Sequence, residues 1–293
     1  MRVLLTGAGG QLARELAACV PPQFELAAMP RAELDLARPG QVARVVRELA
    51  PQLIVNAAAY TAVDAAEEAA EQAFAVNAEG VAELARAARG CGARLLHLST
   101  DFVFDGAATQ PYQPGDPVAP ISAYGRSKLA GEGRLLTELE EGATVVRTAW
   151  LFSSRGRNFV TTMLRLMAER EQLSVVDDQR GSPTWAGGLA RVLWQLAARP
   201  DVGGIWHWSD AGECSWFEFA QEIARQARER DLLSRLPLIT PITSADYPTP
   251  AARPRYSVLD STATRQLLGI EALPWQQTLG RMLDEMMRSG NNG

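Results

Sequence analysis

The chain has 293 residues, 47% of them apolar and 22% charged, with a net charge of -5. That length and balance fit one large α/β unit or two lobes around an ordinary core. An acidic chain with no basic stripe is a poor match for nucleic acid, although single arginines can still serve an anionic small molecule. Cys19, Cys91 and Cys214 are scattered, with no CxxC pair, which argues against a disulfide framework or a zinc site and suits a reducing cytoplasm. No signal-peptide plan and no apolar run of membrane-spanning length is present, so the expectation is a cytoplasmic protein without a membrane partner.

In chain order, a short strand over 3–6 runs into the loop Gly7-Ala8-Gly9-Gly10-Gln11-Leu12-Ala13 and then a helix carrying Leu12, Leu16 and Val20 on one face. Strands follow over 24–29 and 53–55, with a helix over 41–50 between them. An alanine-rich stretch over 65–89 reads as one long helix. Strands over 95–98 and 145–146 flank a helix that carries Tyr124. Beyond Trp150 the alternation loosens: helices over 158–169, 185–198, 216–230 and 278–288, strands over 173–176 and 205–208, and a proline-rich stretch over 237–254. Strands separated by helices predict a Rossmann-type doubly wound parallel sheet, with a smaller C-terminal α/β substrate lobe. The expected division is a nucleotide-binding unit over 1–150 and a mainly substrate-binding lobe over 151–293, with later segments free to return to the first.

The spacing Gly7-x-x-Gly10-x-x-Ala13 between a strand and a helix gives a tight turn and close backbone approach. It offers the bare N–H groups of the helix start to a pyrophosphate. No acidic residue closes the second strand. Arg31 stands there instead, which suits a 2′-phosphate and NADPH, or is a solvated loop charge. Asp35 and Leu36 lie just beyond, where they can flank an adenine. Ser99-Thr100-Asp101 ends a strand at the edge where such folds bind ligands. Tyr124 and Lys128 share one helix face at i and i+4. A cation about 4 Å from a phenolate is worth roughly 4 kcal/mol at an effective dielectric of ~20. That predicts a phenol lowered by about three pKa units, to near neutrality. His97 and His207 lie in apolar strand-like runs and read as core.

The glycine loop, Asn56-Ala57-Ala58-Ala59, Ser99-Thr100-Asp101 and Tyr124-x-x-x-Lys128 together resemble the extended short-chain dehydrogenases/reductases. Within them the chain is similar to the dTDP-4-dehydrorhamnose reductase family. The supporting strings include Thr61-Ala62-Val63-Asp64, Phe102-Val103-Phe104, Lys128-Leu129-Ala130-Gly131-Glu132, Arg147-Thr148-Ala149-Trp150, Gly181-Ser182-Pro183-Thr184, Tyr247-Pro248-Thr249-Pro250 and Arg253-Pro254. They run in family order across nearly the whole chain. The resemblance implies reduction of the 4-keto group of dTDP-6-deoxy-L-lyxo-4-hexulose to dTDP-L-rhamnose, the last step of dTDP-rhamnose biosynthesis, with NADPH or NADH. It implies Thr100, Tyr124 and Lys128 as catalytic residues. Thr100, Asp101 and Trp150 would meet the substrate. Gly7, Gly10, Gln11, Leu12, Arg31, Asp35, Leu36, Ala59, Tyr60, Thr61, Tyr124 and Lys128 would meet the cofactor. Arg155, Asn158 and Arg253 are candidates for the substrate diphosphate on charge and hydrogen bonding alone.

Two positions depart from the family pattern. Tyr256 stands where an asparagine is common. Glu15 is present, but Trp185-Ala186-Gly187-Gly188 lacks the acid that some members use to hold Mg2+ at a dimer interface. No metal ligand is assigned, Mg2+ stays undecided, and so does the choice between monomer and homodimer. Other readings of the same fold are a reductase, epimerase or dehydratase for another nucleotide-4-ketosugar. A last one is the NADP-binding regulatory subunit of methionine adenosyltransferase. Asp101-Phe102, where a dehydratase carries an Asp-Glu pair, counts against the dehydratase.

Overall fold

Runs such as Val3-Leu4-Leu5 and Leu53-Ile54-Val55 have no polar alternation, so both of their faces must be covered. The structure, a computed structural model, describes residues 1–290 and covers them with helices. Six strands form the central sheet: β1 (Arg2–Thr6), β2 (Glu25–Met29), β3 (Leu53–Asn56), β4 (Arg94–Thr100), β5 (Ala143–Thr148) and β6 (Gly204–His207). They lie in the order β2-β1-β3-β4-β5-β6, each pair parallel. The chain leaves β1 toward one edge and returns to start β3 on the other side. The loops after β1 and β3 therefore diverge, and a crevice opens at the carboxyl ends of the strands.

Eight longer helices accompany the sheet among the described residues: α1 (Gln11–Ala18), α2 (Gln41–Leu49), α3 (Gly80–Cys91), α4 (Ala123–Leu139), α5 (Phe159–Glu169), α6 (Ala186–Ala197), α7 (Trp216–Glu229) and α8 (Trp275–Gly290). On one face α1 and α6 bury Leu16, Leu189 and Leu193 over Leu5 and Val55. Trp194 of α6 donates its indole N–H to the Leu16 carbonyl at 3.0 Å and stacks on Phe24. On the other face Val42, Val46, Leu84 and Leu135 of α2, α3 and α4 pack on Leu4, Ile54, Leu95 and Val145. Both β6 and α6 lie beyond residue 150 in the chain. A second core, built from Phe152, Val160, Phe219, Trp275 and Leu279, joins α5, α7 and α8. The parallel strand pair Gln172–Val176 and Leu238–Ile242 lies with it. Residues 291–293 are outside the described residues.

The single helix expected over 65–89 is broken. Short helices Ala65–Glu68 and Ala70–Phe74 meet at Ala69, whose φ of -114° and ψ of 43° are not helical, and a π-helical turn Ala75–Glu79 precedes α3. Alanine propensity favours helix but does not choose its register. Tertiary bonds chose it here: the Asn77 side chain accepts from Tyr60 N–H at 2.8 Å, and donates to Tyr60 C=O at 3.0 Å and to Ser127 Oγ at 2.9 Å.

Arg147 of β5 and Glu132 of α4 are 2% and 1% exposed and form a buried fork, with Nη2 to Oε2 at 2.7 Å and Nε to Oε1 at 3.0 Å. The guanidinium also donates to the Pro114 carbonyl at 3.3 Å and lies over the Phe104 ring. Removing one partner strands a buried charge, whereas removing both leaves only a packing problem. Glu132→Ala is expected to lower the unfolding free energy in urea by about 3–5 kcal/mol. The double variant Glu132→Leu/Arg147→Met should recover most of that loss, and a double variant no better than the single one would refute the stranded-charge account.

Asp210 ties the second lobe to the sheet layer. Its Oδ2 accepts from Trp185 N–H, at the start of α6, at 2.8 Å and from Thr278 Oγ1 of α8 at 2.6 Å. Burial pushes its carboxyl up to about 7, against the two hydrogen bonds that pull the other way. The folded state thus keeps this proton after the unfolded chain has lost it near pH ~3.9, so stability falls as pH rises toward 7. Asp210→Asn keeps one acceptor oxygen and abolishes the ionisation. It is expected to raise the thermal midpoint more at pH 8 than at pH 5; an equal change at both would show that Asp210 does not titrate in this range.

Candidate active site

The loop after β1 is shaped by its neighbour. Gly7 has φ +71°, and a Cβ there would stand 2.8 Å from the Ala58 backbone after β3. Only glycine tolerates both the conformation and the close approach. Gly10 precedes α1 with no side-chain cap, and the first turn carries no acid, so main-chain N–H groups and the positive helix end face the crevice. Leu12 is buried in the core, and Gln11 donates to Leu151 C=O at 3.3 Å. What these two can offer a ligand is therefore mainly backbone. This concave, glycine-lined cradle fits a dinucleotide pyrophosphate.

Around the cradle, Arg31 is exposed just past β2 and bonds Asp35 at 3.2 Å. Burial of Asp35 raises its pKa, but the Ala37 N–H and Arg31 outweigh this and lower it. Leu36 is buried against α3 rather than facing the crevice. Ala59, Tyr60 and Thr61 follow β3 without regular secondary structure, with the Tyr60 backbone held by Asn77.

Thr100, Asp101 and Tyr124 come together where β4 ends and α4 begins. Ser122 caps α4 by accepting from Gly125 N–H at 3.1 Å, which sets Tyr124 in the first turn. Gly125 allows this turn to press on the Phe102 carbonyl, which a Cβ would overlap. Thr100 Oγ1 accepts from Phe102 N–H at 3.2 Å and donates to Asp101 Oδ1 at 2.9 Å. Burial drives the Asp101 carboxyl up to about 6, opposed by the hydroxyls of Ser257 and Thr100. The Tyr124 phenol is pushed up to about 12, first by burial and then by Asp101, with the Thr100 hydroxyl pulling it down.

That last direction reverses the sequence expectation of a phenol lowered toward neutrality. Lys128 is buried and bonded to the sheet instead. Its ammonium is turned toward β4, donating to Leu98 C=O at 2.7 Å with His97 Nε2 at 3.2 Å. Burial pulls Lys128 down to about 8. Helical spacing places the two side chains on one face, but the strand beneath decides where the ammonium points.

A cavity of about 790 Å³ opens beside Phe102, whose ring packs edge-on to Tyr124. Its walls include Trp150, Trp216, Arg170, Arg253 and Ser257. Trp150 holds φ +45°, a strained conformation for a bulky residue, and its ring stacks on Trp216 with centroids 3.4 Å apart. Arg253 donates to both Asp64 carboxylate oxygens, at 2.9 and 2.8 Å, so the loop after β3 and the proline-rich segment meet at the cavity rim. Of the other diphosphate candidates, Asn158 caps α5 and Arg155 pairs with Glu15, and neither lines the cavity. Glu15 is itself buried, accepting from Ser153 Oγ at 2.6 Å. Sequence reasoning missed Phe102, Arg170 and Trp216. None lies in a spacing that signals chemistry, and only the packing of the two lobes brings them to one wall. Asn77 left a weak signal, as a polar residue inside an alanine-rich helix.

Known proteins match this chain over nearly its whole length. The family model described as RmlD substrate binding domain matches residues 1–288. The dTDP-4-dehydrorhamnose reductase of Aggregatibacter actinomycetemcomitans is 43% identical over 285 residues, covering 95% of this chain and 97% of that protein. The enzyme of the same name from Burkholderia thailandensis is 42% identical over 301 residues, covering 98% and 99%. A crystal structure of dTDP-4-dehydrorhamnose reductase from Bacillus anthracis in complex with NADP matches with a TM-score of 0.91 at 37% identity, over 97% of this chain and 99% of that one. In sequence and in structure, over nearly its whole length, this chain belongs to the dTDP-4-dehydrorhamnose reductase family.

Proposed function

We propose that this chain reduces the 4-keto group of dTDP-6-deoxy-L-lyxo-4-hexulose, forming dTDP-L-rhamnose at the expense of NADPH. The observation that carries the reading is the meeting of Thr100 and Tyr124 at the end of β4, next to Phe102 of the cavity wall, in a sheet whose first loop is the glycine cradle. Family relatives named for this reaction, one of them bound to NADP, support it.

Bound reduced nicotinamide supplies the hydride. The main-chain N–H groups at Gly10, Gln11 and Leu12 would hold its pyrophosphate, with Gly7 leaving the room. Arg31 suits the 2′-phosphate, Ala59 to Thr61 would wall the cofactor, and Lys128 would meet the ribose on turning from the Leu98 carbonyl. Asp35 and Leu36 support this rim from beneath.

Tyr124 then gives the proton. A phenol held near 12 is fully protonated at neutral pH, so it stands ready to donate as negative charge builds on the ketone oxygen. The Thr100 hydroxyl is the second donor to that oxygen, on rotating away from Asp101. Both bonds strengthen in the transition state, which is where stabilisation raises the rate. Asp101 and Trp150 meet the sugar, and Arg170 and Arg253 suit the diphosphate.

Tyr124→Phe should fold, still bind NADPH and lose about 10²–10⁴-fold in turnover, followed by loss of reduced-nicotinamide absorbance with the ketosugar. Turnover at the wild-type rate would remove Tyr124 from the donor role. Arg31→Ala is expected to cut the preference for NADPH over NADH by about tenfold, the worth of one charge-assisted contact. Parallel kcat/KM values for both cofactors measure it, and an unchanged ratio would return Arg31 to being a solvated loop charge.

A further inference from the structure

Thr6, Asn56 and His97 are cross-strand partners on β1, β3 and β4. None of them exposes any surface. A fully buried polar row across apolar strands must be internally bonded. Thr6 Oγ1 lies 2.6 Å from Asn56 Oδ1, Asn56 Nδ2 lies 2.9 Å from His97 Nδ1, and His97 Nε2 lies 3.2 Å from Lys128 Nζ. The reaction described above uses Lys128 and leaves the other three without a task.

One fixed donor sets the direction of the row. The Ala58 backbone N–H can only donate, and it is shared between Asn56 Oδ1 at 3.2 Å and Thr6 Oγ1 at 3.3 Å. The Thr6 contact has the length of an O–H···O bond. The carboxamide oxygen therefore faces these two groups, and its NH2 faces His97. An NH2 group only donates, so His97 Nδ1 accepts. A neutral imidazole carries a single proton, which must then sit on Nε2, aimed at Lys128. Burial and the nearby lysine hold His97 neutral, well below its ordinary pKa. An N–H facing an ammonium is repelled, whereas one facing an amine bonds to its lone pair.

We propose that His97 is a positioning residue for the reduction, and that its Nε2–H, aimed at Nζ, lowers the proton affinity of Lys128 and so sets the pH at which that lysine loses its charge. The use made of the lysine rests on the reductase reading; the polarity of the row does not. The groups facing Lys128 are few. His97 comes from β4. Tyr124 and Glu132 lie on its own helix, and the Glu132 carboxylate favours the charged form while being held by Arg147 of β5. The Leu98 carbonyl of β4, 2.7 Å from Nζ, is uncharged but favours the ammonium. Burial and His97 thus act together against Glu132 and Leu98.

The chain has two histidines, so a protein labelled with 15N-histidine gives a spectrum of two imidazoles, assigned with His207→Gln. At about pH 9, above the Lys128 midpoint, His97 should show a protonated Nε2 and a bare Nδ1. The opposite tautomer would overturn the proposal. This readout needs neither substrate nor cofactor, so it stands whether or not the ketosugar is reduced. In turnover, His97→Leu should move the alkaline limb of the pH–rate profile upward by about one unit. His97→Gln, which can offer an amide N–H in the same place, should restore it. A limb that stays put or moves downward in His97→Leu would overturn the proposal, and if that variant fails to fold, the wild-type tautomer decides.

Discussion

The hold of the sheet on α4 is the constraint on which the candidate site depends. The helix carries Tyr124 in its first turn and Lys128 in its second, so any rotation or slide of it would misplace both. Two contacts prevent this. At its start, Gly125 lets the backbone lie directly on the Phe102 carbonyl. One turn past Lys128, Glu132 is clamped by the Arg147 guanidinium inside the protein. A buried ion pair adds little net stability, but it has one good geometry, and here that geometry fixes helix to strand.

Burial then sets the chemistry. It moves each titratable group of the site toward its uncharged form: the Tyr124 phenol up to about 12, the Asp101 carboxyl up to about 6 and the Lys128 ammonium down to about 8. A site biased this way keeps its proton on the phenol at neutral pH. It also suits a reaction that develops charge on a substrate oxygen, because fixed donors are worth most where water is excluded. The phenol is not lowered as helical spacing predicts, because burial raises it and the Lys128 Nζ is bonded to β4, at Leu98 C=O and beside His97.

The second lobe contributes shape more than charge. Trp150 is held in a left-handed conformation and stacked on Trp216, a strained arrangement that the surrounding packing enforces. Asp64 and Arg253 bind the two lobes at the rim of the same cavity, so that its walls come from segments far apart in the chain.

Much of this was legible in the amino-acid sequence. Short β-like runs named five strands of the parallel sheet and the strand over 205–208 without assigning it to that sheet, the spacing of Gly7, Gly10 and Ala13 marked the loop after β1, and the i, i+4 spacing of Tyr124 and Lys128 placed them on one helix face. These are local properties, written in periodicity and in the conformations that each residue tolerates. The break in the helix over 65–89, the direction of the Lys128 ammonium, the polar row from Thr6 to His97 and the cavity wall of Phe102, Arg170 and Trp216 were not legible. Each depends on groups brought together from distant parts of the chain, and a buried donor bonds to whichever acceptor the fold sets within reach. The sequence by itself determined the strands, the loop and the candidate chemistry; only the tertiary structure decided which groups meet, because burial and partner geometry, not residue type, set their proton affinities.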